Sequence, residues 1–304
     1  MNQKRRGLWP LLYGTVLVLF TAYVLLDTFV IPRRYAAVES TSSGTTTAVS
    51  SEIGQTTPAA KTTVTADSYD DGTVSIQITT YRVDNTSVYV ADVTLSDPSA
   101  LQTAFAQGTF GKNITQTTSS IAQSAGAILA INGDYYSARS GYVIRNGVLY
   151  RSTAAGSSQE DLVIYADGTF DIVTEGETSA EALLAAGAQQ VLSFGPGLVE
   201  DGQVAVTANE EVDQAMTNNP RTAIGMISPL HYVLVVADGR TTQSTGLSLY
   251  QLASFMQELG VQTGYNLDGG GSSTMVFNGT VINQPTTNGK TIAERKVSDI
   301  VCIG

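Results

Sequence analysis

The pattern of apolar and polar positions divides the chain into a long apolar run, a polar stretch and a body of short periodic elements. Residues 8–26 are almost continuously apolar, and Lys4, Arg5 and Arg6 precede them. At about 1.5 Å per residue, a helix of this run nearly crosses a hydrocarbon core of about 30 Å. We predict a transmembrane anchor over residues 8–31, with a cytoplasmic basic tail, residues 1–7, before it. A cleaved signal peptide is the alternative, but its apolar core is usually shorter.

A polar stretch separates this run from the body. Residues 39–67 are dominated by Ser, Thr, Ala and Gly, and such a composition has too few large apolar side chains to bury a core. We predict a disordered linker over residues 32–67. A flexible linker of this length would hold the body on the order of tens of Å from the membrane.

The body, residues 68–304, combines strand and helix patterns. Period-two alternation or continuous apolar runs predict strands over residues 73–81, 87–95, 127–131, 231–237 and 300–303, and a strand over residues 191–199 that a Gly-Pro-Gly sequence interrupts. The pairs Asn146-Gly147 and Asp167-Gly168 predict two β-hairpins. Helices are predicted over residues 98–105, 117–125, 179–186 and 249–259. The fold class expected is therefore α+β, with a mixed, mostly antiparallel sheet and a few packed helices after the N-terminal transmembrane helix.

Charge and composition narrow the function. The net charge is -11, and the body is more acidic still, because residues 1–34 carry five basic residues and one Asp. An acidic body argues against a nucleic-acid partner. With the single cysteine Cys302 no internal disulfide or Cys-based zinc site forms, and the single histidine His231 excludes a cluster of His ligands. We interpret His231 as structural, because nothing points to a partner for it.

Small polar clusters follow several of the apolar elements. The most unusual is residues 266–275 (NLDGGGSSTM), where Asp268 enters a triple-glycine turn and hydroxyl side chains leave it. Alone, this stretch is explained as well by a flexible capped turn as by a ligand cradle. Salt-bridged loops are likewise the alternative for the other clusters. Several clusters at the ends of buried elements nevertheless favour convergence on one site.

Common catalytic templates do not fit this chain. The triple-glycine stretch lacks the Lys of a P-loop, and no Gly-x-Ser-x-Gly elbow surrounds Ser272 or Ser273. Carboxylates, arginines, amides and backbone N–H groups remain. Guanidinium groups bind phosphate oxygens, while Asp and Asn bind sugar hydroxyls and Asp acts in glycoside hydrolysis. The residues therefore suit a substrate that carries both a sugar and an anion.

Five motifs in order resemble those of the phosphodiester glycosidase family. They are residues 130–136 (AINGDYY), 220–225 (PRTAIG), 236–240 (VADGR), 266–275 (NLDGGGSSTM) and 294–295 (ER). The resemblance covers roughly residues 127–304. It implies hydrolysis of the glycosidic bond of a sugar-1-phosphodiester, which releases the sugar and leaves a phosphomonoester.

The resemblance also implies site residues. The expected catalytic residues are Asp268, Asp134 and Arg221, and the sequence does not rank the two carboxylates. Expected substrate-binding residues are Asn132, Gly133, Asp238, Gly269, Gly270, Gly271, Ser272, Ser273, Thr274 and Arg295. No cofactor is certain. Calcium or magnesium is possible because carboxylates and carbonyls suit these ions, although no EF-hand-like spacing is present.

With the predicted topology, these features indicate a membrane-anchored extracellular hydrolase. Its N-terminus lies in the cytoplasm, the membrane is contacted through residues 8–31, and the substrate is expected in a cell-envelope or exopolysaccharide glycan. Two alternatives stay open: a non-catalytic glycan- or wall-binding module, and a phosphodiesterase that cuts the P–O bond. The oligomeric state is not indicated by the sequence.

Overall fold

The computed structural model describes residues 8–38, 62–209 and 218–304. Within these ranges the α-helices are α1 (Leu8–Phe29), α2 (Thr118–Ala125), α3 (Ala180–Ala185) and α4 (Leu249–Glu258). The strands are β1 (Arg33–Arg34), β2 (Thr63–Val64), β3 (Ser68–Asp70), β4 (Val74–Val83), β5 (Thr86–Leu95), β6 (Leu101–Phe105), β7 (Gly111–Lys112), β8 (Leu129–Asn132), β9 (Val143–Arg145), β10 (Val148–Arg151), β11 (Glu160–Tyr165), β12 (Phe170–Thr174), β13 (Ala188–Leu192), β14 (Gly197–Glu200), β15 (Gln203–Val204), β16 (Arg221–Ser228), β17 (His231–Ala237), β18 (Thr263–Leu267), β19 (Met275–Phe277), β20 (Thr280–Val281) and β21 (Asp299–Ile303).

Three large sheets form the body. The largest has nine strands in the order β15-β14-β18-β16-β17-β5-β4-β3-β2. The two others have five strands each, in the orders β20-β19-β8-β21-β6 and β10-β9-β13-β11-β12. The paired strands run antiparallel, as in the β16, β17 and β5 ladders, and an isolated parallel bridge joins Glu175 to Thr178. The α+β class with a mostly antiparallel sheet is therefore confirmed.

Strand β17 shows why a continuous apolar run is needed at the centre. Its alternate side chains Tyr232, Leu234 and Val236 join the main core between the sheets, and the intervening side chains Val233 and Val235 pack with α4 on the opposite face. A strand buried on both faces has no solvent side on which to place polar residues. Ser248 and Gln251 form a capping box that starts α4 at the predicted position.

One predicted helix is wrong. Only Pro98–Ala100 form a helical turn, with Asp97 as the predicted N-cap, and the chain then continues as the strand β6. This strand pairs with β21 along its full length, from Leu101 opposite Ile303 to Phe105 opposite Asp299. Pairing with a buried strand outweighs the helical preference of the local sequence. The other predicted helices are confirmed over Thr118–Ala125, Ala180–Ala185 and Leu249–Glu258.

Helix α1 is exposed along its length. Residues 9–29 are long and apolar enough to cross a membrane, with a mean hydropathy of 1.8 and none of the span buried. The residues after α1 pack on the body, because β1 pairs with β7. The predicted linker thus begins with residues that pack on the body, and β2, near its other end, extends the nine-stranded sheet. Residues 39–61, the middle of the predicted linker, lie outside the described residues.

Candidate active site

Strand pairing gathers the predicted polar clusters at one end of the body. Register places Thr222 opposite Leu267, so the residues that flank this pair, Arg221 and Asp268, adjoin each other. In the neighbouring sheet, Ile131 lies opposite Met275 and Asn132 opposite Ile300. The Cβ position of Gly269 is 3.8 Å from the Cα of Arg221. The predicted site residues therefore occupy one region of the structure.

Asn132 holds the strand ends of this region together. Its Oδ1 accepts hydrogen bonds from Thr222 Oγ1 at 2.8 Å and from the Thr274 N–H at 3.2 Å. Its Nδ2 donates to the Asp268 carbonyl at 2.5 Å, and the side chain is fully buried. Next to it, the Gly133 carbonyl accepts from the Asp268 N–H at 3.2 Å. These bonds fix the backbone on which the Asp268 carboxylate stands.

Each of the three consecutive glycines approaches another part of the protein too closely for a side chain. A Cβ on Gly269 would lie 2.8 Å from the Pro220 carbonyl oxygen. On Gly271 it would lie 2.3 Å from Thr287 Oγ1. Gly270 has a φ of +61°, and a Cβ there would lie 2.9 Å from Nη2 of Arg240. The triple glycine is thus explained by a turn packed tightly between the Pro220 backbone and residues 240 and 287.

The carboxylate of Asp268 is joined to Arg295 across this turn. Arg295 Nη2 donates to Asp268 Oδ2 at 2.8 Å, and its Nε and Nη2 donate to Ser272 Oγ at 2.8 and 2.6 Å. Burial raises the pKa of Asp268, although the charge of Arg295 and hydrogen bonds from Ser272 and Arg295 act in the opposite direction. The site therefore contains a largely buried carboxylate whose affinity for a proton is above the ordinary.

Two further arginines adjoin this pair. Arg240 donates from Nε to Asn219 Oδ1 at 3.1 Å and from Nη1 to the Thr287 carbonyl at 2.6 Å. Burial first, and then the charge of Arg295, lower the pKa of Arg240, which shows that the two cations repel each other. The positive charge of Arg139 also lowers the pKa of Asp268. Three arginines, Arg139, Arg240 and Arg295, thus surround the carboxylate at the turn.

The loop that carries Arg139 is shaped by an unusual backbone. Tyr135, four residues earlier, has a φ of +58°, and its ring lies 5.9 Å from the Arg295 guanidinium carbon. Arg139 itself lies 4.1 Å from the centroid of the Phe194 ring. Bulky residues seldom adopt positive φ, and such conformations concentrate at ligand-binding sites.

Asp134 lies in a buried ion-pair triad with Arg145 and Asp299. Its Oδ1 is 2.8 Å from Nη2 of Arg145, which also lies 2.9 Å from Oδ2 of Asp299. The Tyr136 N–H donates to Oδ1 of Asp134 and the Ser193 N–H to Oδ2. Burial, and then the neighbouring carboxylate of Asp134, raise the pKa of Asp299. Asp134 thus has all its contacts inside the protein, whereas Asp268 borders the surface.

A pair of buried acidic residues, Asp161 and Glu175, lies next to this triad, because Ser193 contacts both Asp134 and Glu175. Glu175 accepts from the Tyr142 N–H at 2.6 Å and from Ser193 Oγ at 3.3 Å. Neither carboxyl oxygen of Asp161 has a hydrogen-bond partner among the described residues. Burial, followed by the charge of Glu175, raises the pKa of Asp161 to about 9. Burial therefore favours the neutral form of the Asp161 carboxyl.

The remaining predicted residues are also placed by the structure. Asp238 accepts hydrogen bonds from Asn283 Nδ2 at 3.0 Å and from the Gln284 N–H at 2.9 Å, and burial raises its pKa. The hydroxyls of Ser273 and Thr274 are buried without a partner in the part of the chain that the structure describes. Arg221 is buried and donates from Nε to the Leu247 carbonyl at 2.9 Å.

Sequence reasoning missed Arg145 and Arg139, and it left Arg240 out of the expected site residues although residues 236–240 form one of the five motifs. Arg145 is the last residue of strand β9 and lies outside the five motifs, and its partner Asp299 is 154 residues away. His231 lies at the start of β17, the end opposite Asp238, and it pairs with Asp92 at 2.9 Å. Within the described ranges, no group of three or more His, Cys, Asp or Glu side chains is arranged to hold a metal ion.

Comparison with protein families places this region in a known group. Residues 125–304 match the family model described as phosphodiester glycosidase. The prophage-derived uncharacterized protein YomE of Bacillus subtilis is 31% identical over 199 residues, covering 64% of this chain and 30% of that protein. The mouse and human N-acetylglucosamine-1-phosphodiester alpha-N-acetylglucosaminidases are each 31% identical, over 62% of this chain and 39% of their own length. The chain therefore spans well under half of the length of these relatives.

Solved structures share the fold. The zebrafish N-acetylglucosamine-1-phosphodiester alpha-N-acetylglucosaminidase catalytic domain, auto-inhibited by its pro-peptide, superposes with a TM-score of 0.59 at 24% identity, covering 76% of this chain and 82% of that one. A hypothetical protein from Synechocystis superposes with a TM-score of 0.54 at 15% identity, covering 76% of this chain and 62% of that one. With the match over residues 125–304, this protein belongs to the phosphodiester glycosidase family.

Proposed function

We propose that this protein is a membrane-anchored extracellular hydrolase that cleaves the glycosidic C1–O bond of a sugar-1-phosphodiester in a cell-envelope or exopolysaccharide glycan. The observation that carries the proposal is the pairing of Asp268 with Arg295 at the triple-glycine turn, 2.8 Å apart. This pair lies within the part of the chain that matches the family, residues 125–304. A carboxylate can activate the attacking water, and a guanidinium can bind the phosphate of the leaving group.

The arginines supply the anion-binding half of the site. Arg240 and Arg295 repel each other, as the lowered pKa of Arg240 indicates, and Arg139 adds a third positive charge beside Asp268. A phosphodiester bound among these groups would relieve the repulsion and receive charge-assisted hydrogen bonds. The charge of the leaving phosphomonoester grows as the C1–O bond breaks, so the same groups stabilise the transition state.

Asp268 is the better of the two predicted carboxylates for the chemistry. In the proposed reaction a water molecule attacks C1 and gives its proton to Asp268, while the phosphomonoester leaves with the electron pair of the C1–O bond. Burial raises the pKa of Asp268, which makes it a stronger base than an exposed carboxylate. Both oxygens of Asp134 accept bonds from the protein, so we assign it a positioning role through Arg145.

The other predicted residues fit positioning and binding roles around this carboxylate. Ser272 accepts two hydrogen bonds from Arg295 and so orients its guanidinium. Asn132 and Gly133 fix the Asp268 backbone, and Asp238 fixes residues 283–284. The hydroxyls of Ser273 and Thr274 are buried, so we assign these residues a supporting role in the turn, and Arg221 begins the strand beside Asp268.

Topology supports the proposed location. Helix α1 is apolar and exposed over residues 9–29, and Lys4, Arg5 and Arg6 precede it. Basic residues before the span favour a cytoplasmic N-terminus, and this orientation would put the body outside the cytoplasm. A phosphodiester-linked polymer of the envelope is then the substrate within reach.

The test uses the full chain, purified in detergent, with a panel of sugar-1-phosphodiesters that includes GlcNAc-1-phosphodiesters. We expect free sugar and a phosphomonoester in equal amounts, and inhibition by the phosphomonoester product. Binding of the diesters without turnover would instead support a glycan-binding module. The absence of both turnover and binding for every diester of the panel would overturn the proposal.

A further inference from the structure

The end of helix α1 is fastened to the body. Asn113 Nδ2 donates to the Thr28 and Ile31 carbonyls at 3.3 and 3.1 Å, and these carbonyls belong to the last turn of the helix or follow it. Helix-end carbonyls have no partner within the helix. The side chain of Asn113 therefore acts as a C-terminal cap supplied by the body.

The chain after α1 then joins the body as a strand. Arg33 and Arg34 pair with β7, and the Tyr35 N–H donates to the Phe110 carbonyl at 3.0 Å. The Tyr35 and Phe110 rings lie 5.9 Å apart. The approach at Gly111 is so close that a Cβ there would lie 1.9 Å from the Arg33 carbonyl oxygen. The body is consequently held at the C-terminal end of α1. It is not spaced away from this end by a flexible linker.

A cavity of about 650 Å³ opens at this junction. Its walls include Thr28 and Phe29 from the end of α1, Lys112 from β7 and the loop residues Tyr135 and Arg139. This volume lies within the range of small-ligand sites, about 300–1,000 Å³. Phe29 is 71% exposed at the helix end, where aromatic side chains mark the interface of a membrane.

The cavity borders the candidate active site. Tyr135 and Arg139 line it, while the Tyr135 ring faces Arg295 and the charge of Arg139 acts on Asp268. One loop thus contributes residues both to the lining of the cavity and to the surroundings of the Asp268–Arg295 pair. Lys112, Arg139 and Arg151 give the cavity positive charge, which complements an anionic headgroup.

We infer that the substrate is a sugar-1-phosphate diester of a membrane-embedded lipid alcohol. The inference rests on the proposed function, the hydrolysis of a sugar-1-phosphodiester, and it puts a lipid alcohol, instead of a glycan polymer, on the other side of the phosphate. The sugar occupies the region of Asp268, the phosphate lies among the arginines, and the lipid alcohol leads through the cavity toward the bilayer at the end of α1. Water adds to C1, the C1–O bond breaks, and the lipid phosphomonoester leaves and stays in the membrane, while the proton of the water passes to Asp268.

The experiment reconstitutes the full chain in phospholipid vesicles and follows sugar release from three diesters of GlcNAc-1-phosphate. Two carry a lipid alcohol, a polyprenol in one and diacylglycerol in the other, and the third is the water-soluble methyl diester. The variants Gly111→Val and Asn113→Asp weaken the docking of residues 28–35. The control Asn85→Asp makes the same substitution in an exposed turn, at a residue whose φ of +57° resembles the +58° of Asn113.

We expect each docking variant to cleave the lipid diesters at least tenfold more slowly than the unsubstituted protein and the control. The rate of each docking variant on the methyl diester should stay within twofold of the rate of the unsubstituted protein. The two lipid substrates identify the alcohol. An equal loss on lipid and soluble diesters overturns the inference, because docking would then serve only the fold. Cleavage of the methyl diester alone by the unsubstituted protein also overturns it and leaves the proposed function intact. Cleavage of no diester contradicts the proposed function itself.

Discussion

Nη2 of Arg295 lies 2.8 Å from Oδ2 of Asp268, although 27 residues separate the two in sequence. The contact spans the triple-glycine turn and is braced by Ser272, which accepts from the same guanidinium. Burial raises the pKa of this carboxyl and the guanidinium charge lowers it. The balance between these two effects sets how well Asp268 serves as a base.

Replacement of Asp268 tests its chemical role. In Asp268→Asn we expect kcat for sugar release to fall at least about 100-fold, in the range found for general-base residues. The amide keeps the shape of the side chain, so thermal unfolding should stay close to that of the unsubstituted protein. The control is Asp92→Asn, at a carboxylate that is 51% exposed and pairs with His231. Retention of more than a tenth of kcat in Asp268→Asn would contradict the assignment.

Removal of the charge on Arg295 should move the pH profile in a defined direction. The positive charge of Arg295 lowers the pKa of Asp268, so Arg295→Gln lets that pKa rise further. The ionised carboxylate is the active form of a base, and therefore the acidic limb of kcat/KM should move to higher pH. KM for the diester should also rise, because a phosphate ligand is lost. Arg82→Gln, an exposed arginine outside the site, should leave both unchanged. An acidic limb that stays in place in Arg295→Gln would show that Asp268 does not control the rate.

The tight packing of the triple-glycine turn gives a stability prediction. In Gly271→Ala the new Cβ would lie 2.3 Å from Thr287 Oγ1, and such overpacking costs about 1–3 kcal/mol. Denaturant unfolding should show this loss, with partial recovery in the double variant Gly271→Ala/Thr287→Ala. Gly156→Ala is the matched control, because nothing lies within 4 Å of its Cβ position. Equal stability of the two single variants would refute the packing argument.

The buried Asp161 should make stability depend on pH. Its pKa is raised to about 9 in the folded protein, chiefly by burial and then by the charge of Glu175. Between about pH 4, the ordinary pKa of an aspartate, and pH 9, the Asp161 carboxyl is protonated in the folded state and ionised in the unfolded state. The free energy of unfolding should therefore fall as pH rises through this window, by up to about 1.4 kcal/mol per pH unit for one proton. Asp161→Asn should flatten that slope in denaturant titrations at pH 5 to 8, whereas an unchanged slope would contradict the account.

Local sequence patterns predicted the hairpin turns correctly, because the conformation of a turn depends mainly on its own residues. The turns at Asn146-Gly147 and Asp167-Gly168 join the hairpins β9–β10 and β11–β12, because few other dipeptides suit such turns. Strand β6 was predicted as a helix, since its pairing with β21 depends on residues almost 200 positions later in the sequence. Propensity in a short window contains no information on such a partner.

The candidate site was predictable as a set of residues but not as an arrangement. Motif order gathered Asn132, Arg221 and Asp268, and strand register places them together. Only the structure separates Asp134, which is fully buried in the triad with Arg145, from Asp268, whose side chain is largely buried but 10% exposed. Only the structure likewise shows that residues 33–35 pack on the body, because the sequence predicts them to belong to a disordered linker. Burial and pairing across the chain decide both, and neither leaves a local signal.

The position of bond cleavage tests the central claim most directly. The full chain is incubated with a GlcNAc-1-phosphodiester in ¹⁸O-labelled water, and both products are analysed by mass spectrometry. Attack of water at C1 predicts ¹⁸O in the released sugar and none in the phosphomonoester. Label in the phosphomonoester would show that the P–O bond breaks and would contradict the assignment of a glycosidase reaction to this site.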